Sequence, residues 1–148
     1  MRQPRCASSE RHALRPLIRA GWFGRLGYII SAWSLWEACS RAFCAQLPHK
    51  AYEGDGSCVD KVERALGANN IPFTRKDWFA GANALRNLLA HYNGVVVEAR
   101  ARSLFDRARI VAFTDLGLYR DHYVCLWADT ASAIQWEVGE FIREMAAA

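Results

Sequence analysis

The stretch 75–92, "RKDWFAGANALRNLLAHY", decides how this chain is read. Trp78, Phe79, Ala82, Leu85, Leu88 and Leu89 recur at helical spacing, and Asn93-Gly94 follows as a helix stop. The pattern predicts one amphipathic helix over 75–92 with Thr74 as its cap. On its last turns sit Arg86, Asn87 and His91, a guanidinium, an amide and an imidazole on an otherwise apolar helix.

On the N-terminal side, Leu26, Ile29, Ile30, Trp33, Trp36, Phe43 and Leu47 predict a long helix over about 22–47, ended by Pro48. Ahead of it, Ser8 or Ser9 caps a short helix that Pro16 interrupts or kinks. "HKAYEGDGS" is a loop by composition, and Ser57 begins a further helix, "CVDKVERAL", stopped by Gly67. Beyond Gly94, "VVVEARARSLFDRA" reads as a short extended piece and then a helix. "RIVAF" and "YVCLW" are β-branched and aromatic runs, expected to pair as a small hairpin. Asp129 or Thr130 caps a final helix over 131–145 with Ile134, Val138, Phe141, Ile142 and Met145 facing inward. The expected fold is mostly α: an antiparallel helical bundle with a β-hairpin before the last helix. It forms one domain over 1–148, with its core over about 22–94 and its C-terminal helix over about 130–146; no repeat or linker divides it.

Of 148 residues, 52% are hydrophobic and 23% charged, which excludes a disordered chain. The net charge of +4 favours an anionic partner only mildly, but nearly all the positive charge is Arg, which suits bidentate phosphate contact. An Arg-rich genome accounts for the same bias. Cys6, Cys39, Cys44, Cys58 and Cys125 are odd in number and follow no secretory signal, so reduced thiols and a cytoplasmic location are expected. The run 26–45 is apolar, but Glu37 and Arg41 lie inside it, at about 2.5–3.5 kcal/mol each near a bilayer centre. A buried core helix is expected there instead of a membrane span.

Asn87 and His91, four residues apart, share a helix face, whereas Arg86 and His91 lie about 140° apart around the axis. Either the helix unwinds near Gly94 or two copies meet and share residues. Phosphodiester transfer on RNA uses such groups. An imidazole, ordinarily titrating near ~6.5, takes or gives a proton at the 2′-hydroxyl or leaving oxygen. A guanidinium neutralises a crowded phosphorus centre, and an amide orients either. A plainer account also holds: cations are favoured by ~0.3–1 kcal/mol near a helix C-terminus.

"RNLLAHY" resembles the signature of the HEPN family (higher eukaryotes and prokaryotes nucleotide-binding domain), of its R-x4-H ribonuclease type. Arg86, the polar Asn87 after it and His91 at the helix end carry the likeness. The preceding long helix with Glu37 in "AWSLWEA" and the turn "HYNGVV" accompany it, so the resemblance covers about 22–94. It implies a four-helix-type bundle, a homodimer and, in catalytic branches, metal-independent endoribonuclease activity that leaves a 2′,3′-cyclic phosphate. No cofactor is implied. Arg86 would stabilise the transition state, His91 act as acid and base, and Asn87 orient. Toxin–antitoxin or defence systems, with an antitoxin protein as partner, are the implied setting. Some toxin branches place a Tyr two residues after the His; here Tyr92 follows directly and Asn93 stands at that place, which departs from those branches. The family also holds non-catalytic members, so a module binding a nucleotide, RNA or a protein is the alternative.

Weaker signals surround the motif. Arg100 with Arg107 and Arg102 with Arg109 repeat at seven and would guide an RNA backbone, or form a solvated face balanced by Glu98 and Asp106. Glu37 is expected to pair with Arg86 or Arg41 and hold the site's geometry or, more simply, to sit at the edge of the buried stripe. Cys39, Cys44 and His49 lack a zinc spacing, so the two cysteines read as core thiols, and "RDHYVC", with Asp121, His122 and Cys125, invites a metal or thiol-nucleophile reading but lacks a second cluster. "GWFGRLG" is no phosphate loop; a close helix approach or a loose helix start explains it.

Overall fold

A computed structural model describes residues 8–147 of the chain, with side chains over 21–127 and 129–147. Helix accounts for 67%, in five segments with a two-stranded antiparallel hairpin before the last. In chain order they are α1 (Ser8–Cys44), α2 (Cys58–Ala68), α3 (Lys76–Tyr92), α4 (Ala99–Val111), β1 (Gly117–Tyr119), β2 (Tyr123–Cys125) and α5 (Ala128–Ala147). None of the described helices is long and apolar enough to cross a membrane.

α1 is one helix of 37 residues, about 55 Å long, and runs through Pro16 without a break. The separate short helix expected ahead of it does not exist; the proline costs about 3 kcal/mol through a lost hydrogen bond and a ring clash, and the helical segments on either side of it nonetheless join as one helix. α1 also ends three residues before the expected Leu47, in a tight turn where Gln46 N donates to Phe43 O at 2.9 Å and Leu47 N to Cys44 O at 3.3 Å. Cys6 lies outside the described residues; Cys39, Cys44, Cys58 and Cys125 are free thiols.

The core is aromatic. Trp36 stacks on Phe79 with centroids 4.5 Å apart and planes at 16°, and Phe141 meets both edge-on at 5.7 and 5.5 Å. These rings come from α1, α3 and α5, so burial of one residue from each expected stripe locks three helices together. Leu85, Leu88, Leu89, Ile134, Val138 and Met145 are buried as the periodicity requires; Ile142 and Trp78 are half-buried at the margin.

α3 lies along α4, and Gly81 sets the closeness of that packing. A Cβ at Gly81 would stand 2.7 Å from Ala112 Cβ and 3.1 Å from Ala112 N. Backbone cannot rotate away, so Gly81→Ala is expected to destabilise by about 1–3 kcal/mol despite a helix-propensity gain of ~1 kcal/mol. Gly21, Gly24 and Gly27 face open space among the described residues, which removes close helix approach as their reason. Gly24→Ala is therefore expected to stabilise by up to ~1 kcal/mol. Thermal melts of the two variants should move in opposite directions.

Caps distinguish the helix starts. Ser57 caps α2 in a reciprocal box: its Oγ accepts from Asp60 N at 3.3 Å, and Asp60 Oδ2 accepts from Ser57 N at 2.9 Å and from its hydroxyl at 2.7 Å. The Ser57 hydroxyl and then its backbone N–H hold the Asp60 carboxyl below its usual range. A lowered folded pKa contributes stability that is present above the unfolded value of about 3.9 and is lost as pH falls through the folded one. Asp60→Asn is expected to flatten the decline of the urea midpoint below about pH 4.

Thr74 does not cap α3. Arg75 occupies the cap position without a side-chain cap bond and instead reaches α5, bonding Glu137, Glu144 Oε1 at 3.2 Å and approaching Glu140 at 4.0 Å. A cation beside a helix N-terminus is unfavourable by itself, and three carboxylates of α5 offset it. α5 likewise starts at Ala128, so Asp129 and Thr130 lie inside its first turn and do not precede it.

The hairpin is displaced from its expected place. "YVC" of "YVCLW" forms β2, but its partner is Gly117–Tyr119; Arg109–Val111 of "RIVAF" complete α4. Ile110 is exposed where a β-branched run suggested a strand. Burial of Ala101, Phe105 and Ala108 at helical spacing extends α4 through it, a tertiary override of local β-propensity.

Candidate active site at the end of the third helix

α3 ends where the sequence places its stop. Asn93 adopts the left-handed conformation at φ 50°, and its N–H and that of Gly94 both return to Leu88 O. Gly94, at φ 71°, is covered by the Trp22 indole: a Cβ there would meet a Trp22 ring carbon at 2.9 Å. Both the dihedral and the space require glycine at this position.

The turn after the helix is stitched into the hairpin. Val95 lies opposite Tyr123, with Val96 N donating to His122 O at 2.7 Å and Val124 N to Gly94 O at 2.9 Å. From α1, Trp22 Nε1 donates to Val124 O at 3.0 Å and Arg25 Nη1 to Leu126 O at 2.7 Å. Backbone satisfaction across about 100 residues thus fixes where the end of α3 points.

Asn87, His91 and Tyr92 of α3 and Arg100 and Leu104 of α4 line an open groove of about 310 Å³. His91 is exposed, as is Arg100; Asn87 and Tyr92 are half-buried. Arg86 is not part of the groove wall. Its Nη1 donates to Asn87 Oδ1 at 2.9 Å, and its Nε is buried with no partner among the described residues. A guanidinium is donor-only, so this bond assigns the Asn87 oxygen to Arg86 and leaves the amide N–H groups for the groove. Within one copy, Arg86 therefore reaches the groove only through Asn87.

The supporting residues divide. Glu37 pairs with neither Arg86 nor Arg41; its Oε1 accepts from Trp33 Nε1 at 2.8 Å, one helical turn away. The buried indole needs an acceptor, and Glu37 lies at the edge of the same stripe, which satisfies both groups locally. Among the four arginines of α4, only Arg100 lines the groove. Arg102 donates to Val96 O at 3.4 Å, Arg109 lies 6.0 Å from the Phe105 ring centroid, and Arg107 contributes to lowering the Asp60 carboxyl.

Among the described residues, no three His, Cys, Asp or Glu side chains gather as for a metal ion. Burial pushes the Cys125 thiol upward, and Cys44 to about 11. Cys58, which sits 3.3 Å from the Tyr52 hydroxyl, is raised as well, chiefly by burial. These three are protonated core thiols near neutral pH, which counts against a thiolate nucleophile in "RDHYVC".

No family model matches the chain, and searches of curated proteins and of solved structures return no match either.

Sequence reasoning missed Leu104, Trp22, Arg25 and the carbonyl of His122. Trp22 and Arg25 carry no signal at short range, because their partners lie 102 and 101 residues away. Leu104 has one: it follows Arg100 by four, the spacing that brings two side chains to one helix face.

Proposed function

We propose that this chain is a metal-independent endoribonuclease of HEPN type that acts as a homodimer, in a toxin or defence role with an antitoxin protein as its counterpart. One observation carries the reading: Asn87 and His91 line the same groove as Arg100, and Asn87 is hydrogen-bonded to Arg86. An imidazole, an amide and two guanidiniums at a helix end form the group set that RNA transesterification uses.

In that reaction the 2′-hydroxyl of the RNA attacks the adjacent phosphorus and the bond to the 5′-oxygen breaks. The products are a 2′,3′-cyclic phosphate and a free 5′-hydroxyl. His91 removes the 2′ proton or supplies one to the leaving oxygen. Arg100 offsets charge on the phosphoryl oxygens, and Arg86 contributes to transition-state stabilisation through Asn87, which it holds and which orients the phosphate. Tyr92 forms the groove edge. A second copy, related by a two-fold axis through the α3 ends, supplies the other half of the acid–base pair.

The experiment is a cleavage assay with purified protein, single-stranded RNA and a chelator. Cleavage leaving cyclic-phosphate ends supports the proposal, and intact RNA at high concentration of a folded dimer refutes it. A binding module remains the second reading, favoured by one specific feature: Arg86 turns onto Asn87 and away from the groove wall. In that case the groove retains nucleotide or RNA uncut, with Arg86→Ala and His91→Ala weakening binding alone.

A further inference from the structure

The hairpin next to the groove carries an unusual surface. Tyr119 and Tyr123 are direct partners across β1 and β2, so both side chains leave the same face of the ribbon. They are 57% and 49% exposed, whereas Val124 on the opposite face is buried. Val95 lies opposite Tyr123 on its other side and extends this outer face, while Val96 turns inward and is buried. Val97, two residues on, is 65% exposed. Two large rings and Val97 thus stand in solvent, with Val95 half-buried beside them, on a two-stranded ribbon that one further bridge extends.

The face is flanked by cations. Arg120 and Asp121, in the turn between the strands, hold φ of 51° and 61°, the left-handed region that tight hairpin turns use. That turn places the Arg120 guanidinium 5.2 Å from the Tyr119 ring centroid. At the other end Arg102 is bonded to the Val96 carbonyl, and Arg100 lines the groove. Asp121, next to Arg120, and Glu98, next to Val97, are the acidic residues adjoining these positions in the chain, fewer than the three arginines. A tight turn joins this face to the groove: Val95 N donates to the carbonyl of Tyr92, a groove residue, at 2.8 Å.

We infer that the Tyr119–Tyr123 face is a base-stacking platform for single-stranded RNA, with Arg120 on the backbone between stacked bases, and that it leads the strand into the groove at His91. The inference rests on the ribonuclease reading and gives it a surface that holds the strand outside the groove. Stacking needs an unpaired base, so the platform selects single strands over duplex, whose bases are occupied by one another. It is tolerant of sequence, because every base presents a π-face.

The test uses the full chain with His91→Ala, so that RNA is bound and not cut. A labelled, unstructured RNA of about twelve nucleotides is titrated by fluorescence anisotropy, beside the same strand in a duplex. Tyr119→Ala/Tyr123→Ala is expected to weaken single-strand binding at least about 25-fold, and Tyr119→Phe/Tyr123→Phe to stay within about twofold, since Phe still stacks. The Ala pair should leave the salt dependence unchanged, whereas Arg120→Ala should reduce the log–log slope by about 0.7, the share of one single-strand phosphate. Should the double Ala variant not fold, each single Ala variant reads the same loss at one ring. Binding by the Ala pair within about threefold of its parent overturns the platform and leaves the ribonuclease reading standing. A parent that binds no RNA overturns both. Conversion of a dimer to monomers by the Ala pair, seen by sedimentation, makes the face a contact between copies and overturns the inference.

Discussion

His91→Ala is expected to lower the rate of RNA cleavage by about 10²–10⁴-fold, the usual contribution of a positioned acid or base. Because His91 is exposed, the variant should melt as the wild type does, so the loss reads as chemistry and not as unfolding. Arg86→Ala is expected to reduce cleavage as well, but with a measurable fall in stability. Its guanidinium is partly buried and holds the Asn87 amide, so truncation leaves that oxygen without its donor. The contrast between the two variants separates a groove residue from one acting through a neighbour. Expression of wild type beside His91→Ala in a bacterial host, followed by growth and RNA integrity, extends the test to living cells. Equal harmlessness of two soluble proteins would remove the toxin role.

Phe79→Ala is expected to destabilise the fold by about 3–5 kcal/mol, a large part of the ~5–15 kcal/mol that holds a domain together. The Phe79 ring is fully buried, and five rings surround it: Trp33, Trp36, Phe73, Trp78 and Phe141, with centroids 4.5 to 6.4 Å away. Those rings belong to α1, α3, α5 and the segment before α3, so no single helix can move inward to fill the void. Leu35→Ala, at a side chain 56% exposed, is expected to change stability by no more than about 0.5 kcal/mol. Urea titration with an unchanged slope checks both.

These variants also measure how far local sequence reaches. The stripe containing Phe79 was legible because a helix repeats every 3.6 residues, and the rings it buries follow from that period alone. The end of α3 was legible too, since Asn93-Gly94 terminates a helix through its own backbone preference. The partner strand of β2 was not. "RIVAF" has the composition of a strand, and only the packing of Ala101, Phe105 and Ala108 against the bundle keeps its first residues helical. Glu37 shows the same limit for polar groups: the sequence required that it find a partner, and a neighbouring indole on its own helix supplied one.

For the groove, the sequence by itself determined that Asn87 and His91 share a face and that Arg86 points elsewhere around the helix. Both follow from the fixed rotation per residue, and neither depends on anything beyond the helix. Only the tertiary structure decided that Arg100 and Leu104 form the opposite wall, that Trp22 closes over Gly94, and that Tyr119 and Tyr123 stand beside the same turn. Those placements come from backbone hydrogen bonds and close packing between segments far apart in the chain. Such contacts are selected by which buried polar groups can be satisfied together, a condition that no local window of residues contains.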